Sequence, residues 1–357
     1  MQKTALFDVY EAHQARVVDF HDWALPVQFQ GIVDEHQHTR KAASLFDCSH
    51  MGEFLIEGQA GIAALDRHVF SDYVGLKPGR CRYSAILNDR GGIIDDCVAL
   101  RLDEERLYLV SNAGPLAEVS SLLCLPDIGA KNLSDSTAKI DLQGPMARDI
   151  LLELGLDAVG TMRYWDGIKT RWQDHELVIT RGGYTGELGY EIFVPNEGAV
   201  ALWRYLMQHP AVKPAGLGAR DTLRLEMGYP LNGSDLSPDR TPLESGMGRF
   251  IKWDKDFRGK AVLEEQRDSG SYPVLTAIRS KDRRAPRAGF TVQDGDREIG
   301  VVTSGTFGPS VGHGIGLAYL PQDFADPGNA LNAGPRKLPV TTTRLPFYAD
   351  GTCRIRF

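Results

Sequence analysis

The strongest constraint on this chain is a change of pattern near Lys260. Before it, short apolar runs suited to strands alternate with runs suited to helices, which predicts an α+β body. After it come polar segments punctuated by glycine and proline, with strands expected near 274–279, 289–292, 299–304, 314–320 and 340–343. Strands without intervening helices predict a small C-terminal β-domain resembling a barrel. Asp268-Ser269-Gly270-Ser271-Tyr272-Pro273 reads as the linker, and neither an internal repeat nor a low-complexity segment is present.

Within the body, helices are expected at 6–13, 34–43, 62–69, 115–123, 145–154, 199–208 and 218–227. Strands are expected at 16–20, 53–56, 83–87, 97–102, 107–110, 139–142, 177–181 and 190–195. At 357 residues, 42% of them hydrophobic and 24% charged, the chain is long enough for two or three domains with buried cores. A formal charge of -7 gives no reason to expect nucleic acid binding, which needs a basic face, although local arginines can still hold small anions. The five cysteines, Cys48, Cys81, Cys97, Cys124 and Cys353, never fall in C-x-x-C spacing. That spacing argues against a disulfide framework or a thiolate zinc site and fits a reducing cytoplasm. With no apolar signal region and no stretch of roughly 20 apolar residues, the chain reads as neither exported nor membrane-spanning.

Chemistry is first suggested by Asp95 and Asp96, which follow Gly91-Gly92-Ile93-Ile94 and precede the apolar run Cys97-Val98-Ala99-Leu100. Side chains alternate across a strand, so one of the two acids points inward, where a carboxylate needs a partner or shifts its pKa. The other is expected to meet water. A second candidate is the loop Arg181-Gly182-Gly183-Tyr184-Thr185-Gly186-Glu187-Leu188-Gly189, too long and glycine-rich for a tight hairpin. Its glycines allow close backbone approach, while an irregular bulge is the plainer reading. It lacks the Lys-Ser/Thr ending of a phosphate loop. Glu191, just after it, could accept two parallel N–H bonds from the amidine-like edge of a pterin or purine, each worth roughly 1.5–3 kcal/mol. The alternative is a solvent-facing strand residue.

Arg220 and Arg224 share one helix face at i,i+4 and read either as a salt-bridged surface or as a fork for carboxylates. His36 and His38 have H-x-H spacing without an evident third ligand, so they are expected to be solvated, and no metal site is expected. His50-Met51-Gly52 and Tyr83-Ser84 could line a pocket, although Met51 suits core packing equally. Ser111-Asn112-Ala113-Gly114 ends a strand and offers either an amide to a site or a cap to the helix after Pro115. Thr303 to Ser310 looks like a tight inter-strand loop.

Five segments, taken in order, resemble the aminomethyltransferase (T-protein) family of the glycine cleavage system. They are Phe46-Asp47-Cys48-Ser49-His50-Met51-Gly52, Gly91-Gly92-Ile93-Ile94-Asp95-Asp96, Gly183 to Glu191, Gly216 to Glu226, and Thr303-Ser304-Gly305-Thr306. The likeness runs from about residue 4 to residue 348. It implies a three-domain cloverleaf with tetrahydrofolate in its centre, and a reaction with the aminomethyl-dihydrolipoyl arm of the carrier H-protein. The products would be ammonia, 5,10-methylenetetrahydrofolate and dihydrolipoyl carrier. By the same likeness Asp96 takes the catalytic position near the folate N10 and Glu191 holds the pterin edge. Arg220 binds the tail carboxylate, and Met51, Tyr83, Asn112 and Tyr184 line the pocket.

The domains expected are 1–50 with 136–260 as a discontinuous folate-binding α+β unit, 51–135 as a second α+β unit, and 272–357 as the barrel. The chain departs from the family at Arg249, where Trp is common, and at Asn232-Gly233, where Tyr-Gly is common. Two rivals stay open within the resemblance. One is a folate-dependent demethylase of a small methylated substrate; the other is a folate-binding accessory protein without activity. The accessory subgroup's Lys-Gly-Cys-Tyr motif is not matched by Gly79-Arg80-Cys81-Arg82-Tyr83.

Overall fold

The computed structural model describes residues 1–357. A six-stranded sheet has the order Gly167–Trp172, His175–Arg181, Gly189–Pro195, Thr137–Gln143, Ala43–Asp47, Val212–Pro214, antiparallel except for its last pair. Period-two alternation divides its residues. Ile140, Leu142, Ile179, Ile192 and Val194 point to one face and pack beneath Trp203 and Leu202 of helix Asn196–Leu206. Full burial of each such aliphatic side chain contributes about 1.5–3 kcal/mol. The opposite face carries Lys139, Asp141, Thr180, Glu191 and Phe193.

A five-stranded sheet has the order Cys81–Leu87, Ile93–Arg101, Arg106–Ser111, Gly52–Glu57, Lys131–Asn132. Phe54, Ile56, Cys97, Ala99, Leu107 and Leu109 bury against Ile62, Leu65, Val119 and Leu123 of its two covering helices. The other face turns Cys81, Leu100, Tyr108 and Val110 toward Phe193 of the first sheet, with the Tyr108 and Phe193 rings 5.2 Å apart, edge to face. The two sheets therefore confront each other, and the polar residues of the first lie close to this seam.

Six further strands, Val274–Ser280, Gly314–Leu320, Arg297–Phe307, Thr291–Asp294, Ala330–Ala333 and Leu338–Thr343, close into a barrel around Ile278, Val292, Val302 and Ala318. Buried polar groups fasten it to the body. Asp235 accepts from Arg224 at 2.7 Å and from Ser304 Oγ at 2.8 Å, and His36 meets Ser310 Oγ at 2.7 Å.

Several expectations need correction. The solvated histidine expected at His36 is fully buried, its ring bonded to Thr222 and Ser310 and 3.2 Å from Glu226. Thr303 to Phe307 belongs to a long barrel strand, and only the residues after it turn. The strand carrying the acid pair begins at Ile93 rather than Cys97, so both acids lie inside it. Strands Trp23–Gln28, Ala43–Asp47, Gly167–Trp172 and Ala330–Ala333 were not anticipated, nor was helix Lys260–Ser269. That helix buries only Leu263, so its sequence shows no apolar stripe, and left-handed glycines at 259 and 270 mark its ends.

Candidate active site

Strand pairing brings the first cluster together. Asp96 shares a sheet face with Tyr83, which sits diagonally across on the neighbouring strand, and the Tyr83 hydroxyl donates to Asp96 Oδ2 at 2.9 Å. On the other side Val98 pairs with Val110, which carries Asn112 to the level of Asp96. The Asn112 amide nitrogen donates to Asp96 Oδ1 at 2.9 Å and to Asp95 Oδ1 at 2.7 Å. Asn112 thus serves the two acids and makes no side-chain cap for the following helix.

Just before Asp95 the pairing slips, Ile93 facing Leu87 and Asp95 facing Ile86, so Ile94 is an inserted residue. Such bulges re-aim side chains, and this one directs the start of the acid pair. Asp95 is wholly buried and Asp96 half-buried, as alternation requires. Burial pushes the Asp96 carboxyl up to about 6, against the opposing pull of the bonds from Tyr83 and Asn112. Burial and then the neighbouring Asp96 charge raise Asp95 as well. Neither acid has a cationic partner.

A second cluster lies on the polar face of the six-stranded sheet. Lys139 Nζ reaches Asp141 Oδ1 at 2.6 Å and Glu191 Oε1 at 2.7 Å, while Arg220 meets Asp141 Oδ2 at 3.0 Å. Thr180 Oγ1 donates to the other Glu191 oxygen at 2.9 Å. Burial alone would lower the Lys139 pKa, but the charges of Asp141 and Glu191 outweigh it and hold the ammonium above its ordinary range. Burial likewise opposes the Asp141 charge, and Lys139 with Arg220 holds that carboxyl below its ordinary value. Two positive and two negative groups balance one another here.

Tyr184 joins the two clusters. Arg220 stacks on its ring at 5.0 Å, burial and then the nearby Asp96 charge, against the pull of Arg224, raise its hydroxyl pKa, and that hydroxyl donates to the Pro230 carbonyl. Gly183 at φ 150° and Gly186 at φ 80° give the loop a path closed to other residues. Met51 packs between the hydrophobic groups of both sheets. Asn232 donates to the Ile94 carbonyl at 3.3 Å, so this departure from the family pattern lies directly behind the acid pair. Arg249 lies with Arg80, Arg82, Lys252, Trp165 and Phe250 along a groove of about 410 Å³ that also reaches Tyr83.

Sequence reasoning missed Lys139 and Asp141. Their signal was present, since Thr-Ala-Lys-Ile-Asp-Leu-Gln alternates strictly and puts two opposite charges on one face of the strand. Arg220 and Arg224 are not a surface pair: each is drawn inward by its own aspartate, Arg220 by Asp141 and Arg224 by Asp235. His50, close to the second cluster, is pushed down to about 3 by burial and then by Arg220 and Lys139, so it stays neutral. Burial pushes the Cys48 thiol up to about 12, which leaves it unreactive. No group of three or more His, Cys, Asp or Glu is placed to hold a metal ion.

The fold is an α+β body of two confronted sheets with a C-terminal barrel, and it carries one acid pair that no cation meets. Residues 6–255 match the GCVT N-terminal domain, and residues 274–349 match the glycine cleavage T-protein C-terminal barrel domain. The chain is 40% identical to an aminomethyltransferase of Saccharopolyspora erythraea, covering 97% of this chain and 98% of that one. It is 37% identical to an aminomethyltransferase of Halothermothrix orenii, covering 97% and 100%. The crystal structure of glycine cleavage system aminomethyltransferase T from Bartonella henselae superposes with a TM-score of 0.92 at 33% identity, over 98% of this chain and 99% of that one. The chain belongs to the glycine cleavage T-protein family and has its three-domain cloverleaf fold. It is an aminomethyltransferase.

Proposed function

We propose that this aminomethyltransferase passes the one-carbon unit of an aminomethyl-dihydrolipoyl carrier, the H-protein of glycine cleavage, to tetrahydrofolate. The products are ammonia, 5,10-methylenetetrahydrofolate and the dihydrolipoyl carrier. The observation that carries this reading is the unpaired acid pair at Asp96, set beside a charge-balanced cluster that can grip a polar heterocycle. Expulsion of ammonia leaves an electron-poor carbon on the arm's sulfur; two folate nitrogens bond to it in turn as the C–S bond breaks, and the protons they lose go to the departing thiolate and a base. A carboxylate with a pKa near 6 can steady that carbon and act as that base. Asp96 is the catalytic residue, and Tyr83 and Asn112 hold its two oxygens.

Glu191 is the group for the pterin edge. Lys139 and Thr180 each occupy one of its oxygens, and each oxygen keeps a lone pair for an incoming N–H. Tyr184 offers an aromatic face, Met51 an apolar wall, and Arg220 a cation for the folate tail. The groove that reaches Tyr83, whose hydroxyl donates to Asp96, is the side from which the carrier arm would approach. Positioning supplies most of the rate, up to about 7–11 kcal/mol for two well-aligned reactants. A cytoplasmic setting agrees with five free cysteines, and no helix is long and apolar enough to cross a membrane.

The test is formation of ammonia and 5,10-methylenetetrahydrofolate from the full chain, tetrahydrofolate and an aminomethyl-loaded lipoyl carrier, with a control lacking folate. Equal, folate-dependent release of both products is expected. Folate binding without release would sink the reading and turn attention to a demethylase or a binding protein.

A further inference from the structure

Asp95 has no part in the reaction described above, yet it is wholly buried and tied to the residue that holds Asp96. The Asn112 side-chain nitrogen lies 2.7 Å from Asp95 Oδ1, 2.9 Å from Asp96 Oδ1 and 3.0 Å from the Asp96 carbonyl oxygen. The Asn112 backbone N–H, in turn, donates to Asp95 Oδ2 at 2.9 Å. Three acceptors surround an amide that has a donor end and an acceptor end, so only its NH2 can face them. The Asn112 carbonyl oxygen is thereby turned away and makes no hydrogen bond within the protein. Without Asp95 the amide has less reason to keep this orientation, and its reverse would set a carbonyl oxygen against the Asp96 carboxylate.

We propose that Asp95 is a positioning residue that acts through Asn112, locking the amide so that its N–H supports the charged form of Asp96. The inference rests on Asp96 being the catalytic acid. Other titratable groups around the pair are Tyr83 on the adjoining strand, Tyr184 on the glycine-rich loop, and Cys97 with Tyr73 on the core side. None is a cation, so the amide is the principal lever on Asp96 apart from Tyr83.

Two mechanisms give different outcomes, which makes the test decisive. If Asp95 acted only by its own charge, removing it would lower the Asp96 midpoint, or leave it in place where Asp95 is still protonated as Asp96 ionises. If it acts through Asn112, removing it costs Asp96 a hydrogen bond to its charged form and raises the midpoint. The experiment is a carbon-13 NMR titration of aspartate carboxyls in the full chain, for the parent protein, Asp95→Asn, Asn112→Ser and the double variant, with pH profiles of turnover beside it. Both single changes are expected to raise the Asp96 midpoint by about one pH unit and to lower kcat by about tenfold or more, with the folate KM little changed. The double variant should move the midpoint no further, because both residues act on one bond.

A midpoint that falls or stays in Asp95→Asn, or an additive double variant, overturns the inference. Should Asp95→Asn lose its near-UV circular dichroism, Asp95→Ser is read in its place, and failure of both to fold marks Asp95 as a folding residue and equally overturns it. The titration needs no turnover. A parent protein without aminomethyl transfer would therefore defeat the proposed function while the NMR result still decides the role of Asp95.

Discussion

The two clusters differ in how their charge is met. Buried Lys139 and Asp141 meet partly buried Glu191 and Arg220, two charges of each sign, each carboxylate touching a cation within 3.0 Å. Asp95 and Asp96 sit in the facing sheet with only an amide, a phenol and backbone around them. Balanced charge holds Lys139 and Asp141 in their charged forms, which suits recognition. Carboxylates without a counter-ion have a raised pKa, which suits proton transfer near neutral pH. Burial alone therefore does not distinguish the clusters; the presence or absence of a cation separates the half proposed to grip folate from the half proposed to react.

The comparison can be broken most forcefully at Lys139. Lys139→Met strips the partly buried Glu191 of its cation and leaves the buried Asp141 with Arg220 alone, and the stability read from chemical denaturation should drop by about 3–5 kcal/mol. A loss below about 1 kcal/mol would show that the cluster is hydrated and not a balanced set. Asp96→Asn comes next: turnover should fall by roughly a hundredfold or more while folate affinity stays within about tenfold. Near-normal turnover would move the catalytic role elsewhere.

Glu191→Gln tests the gripping half. It removes the charge proposed to strengthen pterin hydrogen bonds, so folate binding measured by calorimetry should weaken by about 1.5–3 kcal/mol, and kcat should change less. Unchanged affinity would place the heterocycle elsewhere. The smallest effect is a pH dependence of stability. Because the folded Asp96 pKa is raised to about 6 from an ordinary value near 4, its contribution is present below pH 4 and is lost as pH rises through 6. Thermal denaturation of Asp96→Asn should match the parent near pH 4 and exceed it by about 1–2 kcal/mol at pH 8. A gap independent of pH would contradict the raised pKa.

Legibility in the sequence followed the range of the interaction concerned. The barrel was visible as strand after strand broken by glycine and proline, a local pattern, and helix Leu217–Met227 was expected at 218–227 although its apolar residues assign no single face. The expectation that Asp95 and Asp96 point opposite ways follows from a period of two and agrees with their burial. What failed was long-range. Arg220 and Arg224 looked like a surface pair because their partners, Asp141 and Asp235, lie on other elements. His36 looked solvated because Ser310 reaches it from the barrel, 274 residues away.

On its own, the amino-acid order determined the α+β body, the β-only C-terminal part, the family, and which residue types stand at Asp96, Glu191 and Arg220. Those follow from local periodicity and from motifs that need no knowledge of neighbours. Only the tertiary structure decided that Lys139 clamps Glu191, that Asn112 spans both acids, and that one carboxylate set is neutralised while the other is not. A side chain's charge state depends on what packs within a few ångströms of it, and that is settled by which strands pair and which sheets meet.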